Sequence, residues 1–365
     1  MGGRVASRSA RRYRRARRFR SNQRGVVAVV GTLLSLLVFF ALFGIFLTQY
    51  LPLWMNDNEA AFTNAAATSF IEFKSGIDTQ YALGLPPTVG TAFTISSAGV
   101  PLLAQPTEGT ITFIPSTCPG VNGASFYAPG VPGATKANYG QPVNPAYCVF
   151  ENETLSTGPG GSGGYYQKVA TGVLQMQLPN RYYSYSAFYF EADGIIQTQS
   201  GGYQVMAYAP PFNVTSNSGN TSVSSSFLQL TGNATSVIGQ GSEEVYSHLR
   251  FSQDVSSNGK AIAGTSTLRP FNYTFEIGTQ YPCAWSSFFQ NEMGVSGLSY
   301  VLTPTYGVSS YNYTNPVTHA KTVPYVGSCS NPNGATTILV VNVNEINFAT
   351  MFYAGVTVTV GIGGT

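Results

Sequence analysis

The residues with the most reactive chemistry in this 365-residue chain are two histidines, four cysteines and one serine inside a glycine-rich run. His248 follows Glu244 by four positions, a spacing that could supply half of a metal site. No second His or Cys ligand is near in the sequence, and no HExxH motif occurs. An exposed or hydrogen-bonded histidine is the favoured interpretation, so we predict neither a metal nor a cofactor.

The run GPGGSGG matches two catalytic patterns by letter, G-x-G-x-x-G and, around Ser162, G-x-S-x-G. The dinucleotide pattern requires a preceding strand, a following helix and a ribose-binding acid. The nucleophile pattern requires a His and an acid in an α/β fold. The surrounding sequence has an all-β character and supplies none of these. We predict no catalytic residue here, and we interpret residues 156–164 as a long loop or a flexible joint.

The four cysteines contain no CxxC pair, so two disulfide bonds are favoured over a metal site. They are Cys118, Cys148, Cys283 and Cys329. Four cysteines allow three pairings, and we expect the sequence-local one, which joins the first to the second and the third to the fourth. Free buried thiols are the alternative.

Six N-x-[ST] sequons could accept N-glycans outside the cell. They begin at Asn152, Asn213, Asn220, Asn233, Asn272 and Asn312. Because the chain is rich in Asn, Ser and Thr, a similar number is expected by chance. The sequence therefore permits glycosylation without indicating it.

The chain contains 23 Tyr and 23 Phe residues, and they are dense in RYYSYSAFYF, from Arg181 to Phe190. Such a segment could form an aromatic platform for a surface glycan. Strands are intrinsically rich in aromatic residues, and they can bury one face while showing tyrosine on the other. We therefore favour a core strand, and a glycan-binding module or surface hydrolase is a less favoured function.

The positive charge of the chain is confined to a short leader, residues 1–25. Ten of the 18 Lys and Arg residues precede Gly25, whereas all 15 acids follow it. The remaining eight basic residues against 15 acids give the rest of the chain a net charge of −7. An arginine run joined to a long apolar segment is more typical of membrane topology than of nucleic-acid binding. We predict no nucleic-acid partner.

An uncharged segment follows, and we assign residues 26–55 to a hydrophobic helix. The 22 residues Val26 to Leu47 would span about 33 Å, the hydrocarbon thickness of a bilayer. A secretory signal has a shorter apolar core, and here Tyr50 and Trp54 suit a membrane interface. The arginines predict a cytoplasmic N-terminus and a cell-surface location for the chain from about Met55 onward.

Pro52 is expected to kink or interrupt the helix, and residues 56–82 then predict an amphipathic helical stalk. Its apolar positions recur at steps of three and four residues: Phe62, Ala66, Phe70, Phe73, Ile77 and Tyr81. Asn56 or Asp57 can cap the start, and the LGLPP sequence ends the helix.

Residues 83–365 consist of short segments rich in Thr, Val, Tyr and Phe, separated by Gly, Pro, Asn and Ser. GTITFIP, ILVVNVNEI and GVTVTVG read as strands, and GIIQTQSGGYQVMAY reads as a hairpin that turns at Gly201 and Gly202. We predict a mainly β fold: a long N-terminal helix followed by an all-β, sandwich-type ectodomain. It comprises one large or two sandwiches, with an internal boundary near 156–164.

The basic leader, the pair Arg24-Gly25 and the run VVAVVGTLLSLLVFF resemble the class III signal of archaeal type IV pilin-like surface proteins. In that family a prepilin peptidase cuts after a small residue that follows a basic one, which implies cleavage between Gly25 and Val26. LPLWMNDNEA, SSAGVPLLAQPTEGTITF and FYFEADGIIQTQSGGYQVMAYAPPFNV also resemble these proteins. The hydrophobic helix of the family often begins with a V-S-P-V-I-G type sequence, to which residues 26–31 are similar. Two departures are Ala28-Val29, where that sequence has Ser-Pro, and Val30, where bacterial pilins carry an acid.

The resemblance implies a non-enzymatic subunit of a surface filament. Such a subunit assembles with copies of itself through the N-terminal helix and displays the ectodomain for adhesion. The alternative is a permanently anchored single-pass protein that keeps its leader and acts as an adhesin or envelope component. The expected partners are a membrane, further copies of the chain, a prepilin peptidase-type enzyme and surface glycans.

Overall fold

The computed structural model describes residues 8–84, 87–100, 103–116, 149–157, 165–217, 220–258, 260–261, 268–269, 271–296, 300–304 and 337–361. The chain divides into two compact units, Met1–Asp57 and Asn58–Thr365. It is mainly β, with a long helical region at the N-terminus.

The helical region comprises α1 (Arg8–Ile45), a π-helical segment (Phe46–Tyr50) and α2 (Leu51–Leu83). Ile45 and Leu51, which bound the π segment, both have right-handed helical φ and ψ values. The interruption expected at Pro52 therefore takes the form of a five-residue π-helical segment that ends two residues before the proline. The α-helix resumes at Leu51. Proline lacks an N–H and cannot complete the α-helical pattern toward the preceding turn, so a local change of hydrogen-bond spacing accommodates it.

Eighteen strands and one further helix follow in the described part of the chain. The strands are β1 (Val89–Thr94), β2 (Gly109–Ile114), β3 (Val149–Thr157), β4 (Tyr165–Thr171), β5 (Val173–Leu178), β6 (Ser186–Glu191), β7 (Gly194–Gln199), β8 (Tyr203–Tyr208), β9 (Phe212–Asn217), β10 (Asn220–Thr231), β11 (Thr235–Gly239), β12 (Ser242–Asn258), β13 (Lys260–Ala261), β14 (Leu268–Arg269), β15 (Phe271–Thr279), β16 (Tyr300–Pro304), β17 (Thr337–Ile346) and β18 (Phe348–Val360). Helix α3 (Pro282–Ser296) lies between β15 and β16.

The strands form three large sheets and one short pair. The first sheet has the order β1-β12-β18-β10-β9, the second β11-β2-β5-β6-β7-β8, and the third β16-β17-β15-β3-β4. β13 pairs with β14. β10 and β18 run parallel, and the other pairings are antiparallel. The predicted strands are confirmed in β2, β17 and β18, as is the β7–β8 hairpin, in which Gly201 and Gly202 adopt the positive φ values that its turn requires.

One hydrophobic core joins α2, from Phe62 onward, to the first and second sheets. The predicted apolar stripe is buried at Phe62, Ala66, Phe70, Phe73 and Ile77, and Tyr81 packs against the same core while half-buried. The rings of Phe70 and Phe93 meet edge to face with centroids 5.1 Å apart. The helix that the stripe predicted as a stalk is therefore part of the β-rich unit from Asn58 onward.

A second core lies on the reverse face of β6, because successive strand residues point to opposite faces. Phe188 and Phe190 belong to the first core, whereas Ala187 and Tyr189 belong to the second. The other members of the second core come from β9, β10, β15, β18 and α3, among other segments. The prediction that the aromatic segment from Arg181 to Phe190 is a core strand is thus confirmed for its second half, which forms β6.

Helix α3 departs from the all-β expectation for the ectodomain. Ala284, Trp285, Phe288 and Phe289 are buried on one side of it, at the spacing of a helix rather than a strand. Trp285 and Phe289 stack with centroids 5.8 Å apart. A short aromatic run reads equally as strand or helix, and here the packing of this face decides for helix.

The glycine-rich segment connects two neighbouring strands of one sheet. β3 ends at Thr157, β4 begins at Tyr165, and Leu155 pairs with Tyr165 in antiparallel register. Residues 158–164 lie outside the described residues. The division into compact units falls after Asp57, and the boundary expected near residues 156–164 stays a prediction.

Candidate functional site

The helical segment that begins at Val27 exposes its apolar side chains to the surroundings of the protein. The exposed large residues within 27–45 are Val27, Val29, Val30, Leu33, Leu34, Leu36, Leu37, Val38, Phe39, Phe40, Leu42, Phe43 and Ile45. By length and composition this helix could cross a membrane. Exposed apolar surface of this extent marks contact with lipid or with another protein.

The two threonine hydroxyls between Val27 and Tyr50 are satisfied within the helix. Thr32 Oγ1 donates to the Val29 carbonyl at 2.8 Å, and Thr48 Oγ1 donates to the Gly44 carbonyl at 2.9 Å. A buried hydroxyl without a partner is costly in an apolar medium, and these internal bonds remove that cost. The segment can therefore enter a lipid or helix-bundle environment without unpaired threonine hydroxyls.

The three residues predicted for leader processing, Arg24, Gly25 and Val26, all lie within α1. Cleavage between Gly25 and Val26 stays a prediction.

In the described part of the β-rich unit, the carboxylate of Glu59 accepts hydrogen bonds from three backbone N–H groups and one hydroxyl. Its oxygens accept the backbone N–H groups of Arg181, Tyr182 and Tyr183 at distances from 2.6 to 3.0 Å. The Thr107 hydroxyl donates at 2.6 Å. Burial alone would raise the pKa of Glu59, but the hydroxyl and the three backbone donors outweigh it, and the pKa lies below its usual value.

These bonds fix the loop between β5 and β6, which carries three exposed tyrosines. Tyr182, Tyr183 and Tyr185 are each about two-fifths exposed, and Arg181 is exposed beside them. The Ser200 N–H donates to the Tyr185 carbonyl at 3.1 Å, which brings the β7–β8 turn against the loop. Tyr203 follows this turn and is 71% exposed. We call Arg181, Tyr182, Tyr183, Tyr185 and Tyr203 the tyrosine surface.

A buried ion pair connects α2 to the turn between β6 and β7. Lys74 Nζ contacts Asp193 Oδ1 at 2.6 Å and the more exposed Asp78 at 3.4 Å. The Ser226 hydroxyl donates to Asp193 Oδ2 at 3.2 Å. Burial raises the pKa of Asp193 to about 6, although the nearby Lys74 opposes this change.

The spacing of the stripe could have revealed Glu59 and Lys74, which sequence reasoning missed. Glu59 is three residues before Phe62, and Lys74 is four residues after Phe70. Both positions continue the apolar face, where a charged residue requires a specific partner.

Glu191 is a fully buried carboxyl group in the second core. Trp285 Nε1 donates to its Oε1 at 2.6 Å, and the Thr279 hydroxyl also donates to Oε1. Its Oε2 has no hydrogen-bond partner among the described residues. Burial raises the pKa of Glu191 to about 7, and the two hydrogen bonds counteract this only in part.

Two of the residues first examined for chemistry, Glu244 and His248, have separate hydrogen-bonding partners. Glu244 and His248 both lie on β12, where Glu244 accepts a bond from Tyr246 and His248 Nδ1 is 3.5 Å from Thr88 Oγ1. Among the described residues, no group of three or more His, Cys, Asp or Glu side chains could hold a metal ion. Ser162 lies outside the described part of the chain.

The structure describes the remaining sequence-predicted residues only in part. Cys283 is buried on α3, and its N–H donates to Gln204 Oε1 at 3.3 Å. The other three cysteines, Cys118, Cys148 and Cys329, lie outside the described residues, so the pairing stays a prediction. Of the sequon asparagines, Asn213 on β9 and Asn233 have exposed side chains. Asn152, Asn220 and Asn272 lie on β3, β10 and β15. Asn312 falls outside the described residues.

Comparison of the chain with protein-family models, with curated proteins and with solved structures finds no match.

Proposed function

We propose that this chain is a pilin-like subunit of an archaeal cell-surface filament. A prepilin peptidase-type enzyme removes residues 1–25, and the mature chain begins at Val26. The helix first holds the subunit in the membrane and then enters a bundle of identical helices. The β-rich ectodomain remains outside for adhesion or surface contact, with no catalytic role.

The observation that carries the proposal is the exposed apolar face of the helix in the first unit. Exposing side chains such as Leu34, Leu37 and Phe40 to water is energetically unfavourable, so this surface is not expected to remain in contact with water. Lipid and a helix bundle both cover such a surface, and transfer from one to the other exposes none of it to water. The internally bonded threonine hydroxyls suit both environments.

The construction of the β-rich unit supports its role as a displayed domain. We infer a sandwich-type ectodomain, because the first and second sheets contribute to one core and the second sheet also takes part in another. Only 9% of the whole chain is charged, against a typical quarter, so its solubility depends on neutral polar groups. Disulfide bonds and N-glycans at the exposed Asn213 and Asn233 are further parts of the proposal.

A permanently anchored surface protein is the second candidate, and one observation favours it. Helix α1 runs from Arg8 to Ile45 and passes through Arg24 and Gly25. In an uncleaved chain, the arginines would continue the membrane helix on its cytoplasmic side.

The N-terminal peptide of the mature protein decides between the two candidates. We would shear filaments from source cells and compare this material with the membranes by mass spectrometry. We expect chains that begin at Val26 in the sheared fraction. Chains that retain the arginine leader and occur only in membranes would overturn the filament proposal in favour of a permanent anchor.

A further inference from the structure

The tyrosine surface combines exposed aromatic side chains with an unusually firm attachment of their backbone. Three successive N–H groups, from Arg181 to Tyr183, donate to one buried carboxylate. Removing a carboxylate from water is costly, and charge-assisted bonds of this kind offset the cost only when the loop holds one conformation. The loop is thereby preorganised before any partner arrives.

The tyrosine surface also lies at a defined point along the chain. Glu59, which holds the loop, is five residues after Trp54 at the end of the apolar segment. A chain of five residues spans at most about 18 Å, whatever its conformation. Covalent connection therefore keeps the loop within reach of any membrane that surrounds the apolar helix.

We propose that the tyrosine surface binds the phosphate-bearing headgroup layer of the membrane that holds the helix. The inference rests on the membrane-inserted state in the proposed function. Tyrosine suits this layer, because its ring enters the apolar boundary while its hydroxyl bonds to headgroups. Arg181 supplies a planar donor group for phosphate.

A lipid partner is favoured over a second copy of the chain, because lipid headgroups surround every membrane-inserted copy. Every membrane-inserted copy has headgroups within the reach set by residues 54–59, before and without assembly. A second copy becomes a neighbour only in the filament. The tyrosine-rich, arginine-containing composition also matches an interface that is half apolar and half wet.

Tyr208 provides a matched control within the same unit. It is 46% exposed and lies at the far end of β8, where it pairs with Ile195. The turn just before Ile195 contains Asp193, which binds Lys74. Lys74 is 15 residues after Glu59 on α2, so these two anchor points are separated by about 22 Å along the helix axis.

The test uses the full chain with a photoreactive benzoylphenylalanine at position 183 or at position 208. The chain is reconstituted in vesicles of phosphatidylcholine and phosphatidylglycerol at three to one. After illumination, mass spectrometry measures phospholipid adducts on each peptide. We expect at least about fivefold more lipid adduct at 183 than at 208, because only the former sits in the headgroup layer.

Vesicle flotation separates failure of this inference from failure of the proposed function. A chain that floats with vesicles but gives equal adducts at 183 and 208 overturns the inference alone. So does a protein dimer cross-linked through 183 in place of lipid, which would assign the surface to a second copy. A chain that does not float overturns both proposals.

A second variant tests the role of the anchor. Glu59→Gln removes the charged acceptor but leaves the tyrosines and the apolar helix unchanged. We expect the lipid adduct at 183 to fall severalfold while flotation is retained. An unchanged adduct yield would show that the carboxylate does not position the tyrosine surface.

Discussion

Lys74 Nζ lies 2.6 Å from Asp193 Oδ1, and both side chains are only 4% exposed. Asp193 and its neighbour Ala192 have φ values of 67° and 49°, a left-handed conformation that non-glycine residues seldom adopt. The ion pair therefore holds α2 against a turn whose backbone is itself unfavourable in isolation. Breaking such a buried pair leaves one charge without compensation.

Asp193→Asn should lower the free energy of unfolding by about 3 kcal/mol. Asparagine tolerates the left-handed conformation, so the loss of stability would come from the missing charge and not from strain in the turn. Guanidinium unfolding of the detergent-solubilised full chain, followed by near-UV circular dichroism, measures it. The double variant Lys74→Met with Asp193→Asn should recover at least about 1 kcal/mol, because no buried lysine charge remains.

Asp78→Asn is the control for the ion-pair prediction, because Asp78 is largely exposed and 3.4 Å from the lysine. It should change the free energy of unfolding by less than about 1 kcal/mol. If the double variant Lys74→Met with Asp193→Asn were no more stable than Asp193→Asn alone, an uncompensated lysine charge could not be the cause of the loss.

Glu191 should make the protein lose stability as the pH rises. Burial raises its pKa from 4.5 to about 7 in the folded state, so the folded protein retains a proton that the unfolded chain has released. The contribution is fully present below pH 4.5 and is lost between pH 4.5 and about 7. A shift of this size corresponds to about 3 kcal/mol.

Glu191→Gln should remove this dependence, because the amide keeps an acceptor for Trp285 and Thr279 without ionising. The variant should be more stable than the unaltered chain at pH 8 and similar to it at pH 4. Unfolding free energies at both pH values provide the comparison, with the exposed Glu72→Gln as a matched control. If the unfolding free energy of the Glu191 variant changed between pH 4 and pH 8 by the same amount as that of the unaltered chain, the proposed titration would be excluded.

Local periodicity made a substantial part of the fold predictable. The stripe from Phe62 to Ile77 has the spacing of a helix, and the alternation of Val356, Val358 and Val360 has the spacing of a strand. Both patterns depend only on which side chains face one core. The glycine pair at 201 and 202 located a turn for a similarly local reason, since it needs positive φ.

The partners of the buried charges were not predictable, because they are distant in sequence. Lys74 and Asp193 are 119 residues apart, and Glu191 and Trp285 are 94 residues apart. Their proximity follows from the way helices α2 and α3 pack against the sheets, as do long-range pairings such as the parallel one of β10 with β18. Sequence spacing contains no information about such pairings. The stripe spacing can place Glu59 on the buried face of the helix, but it cannot identify Thr107 and Arg181 as its partners.

Glu59→Gln should loosen the loop that it holds. A neutral amide is a weaker acceptor than a carboxylate for the N–H groups of Arg181, Tyr182 and Tyr183. Hydrogen exchange of these three amides at pH 7 should accelerate by at least about tenfold. Exchange measured by mass spectrometry on the full chain tests this, with the exposed Glu72→Gln on the same helix as control.

The pH dependence of this loop should be opposite to that of Glu191. The pKa of Glu59 is lowered in the folded state, so its contribution is present above pH 4.5 and is lost as the pH falls through the folded pKa. Loop protection that stays constant from pH 7 to pH 2, after correction for intrinsic exchange rates, would refute the charged-acceptor explanation.

Leu37→Lys should prevent stable insertion of the helix. Leu37 lies near the middle of the apolar segment and is 64% exposed. A lysine at the centre of a membrane helix costs about 3 kcal/mol, and a helix bundle offers it no better environment. We expect less chain to resist carbonate extraction from membranes and sheared filaments to be lost. Thr68→Lys, on the exposed face of α2, should leave both quantities unchanged. If Leu37→Lys retained both, the apolar segment could be neither the membrane span nor the filament core, because each would have to exclude that charge.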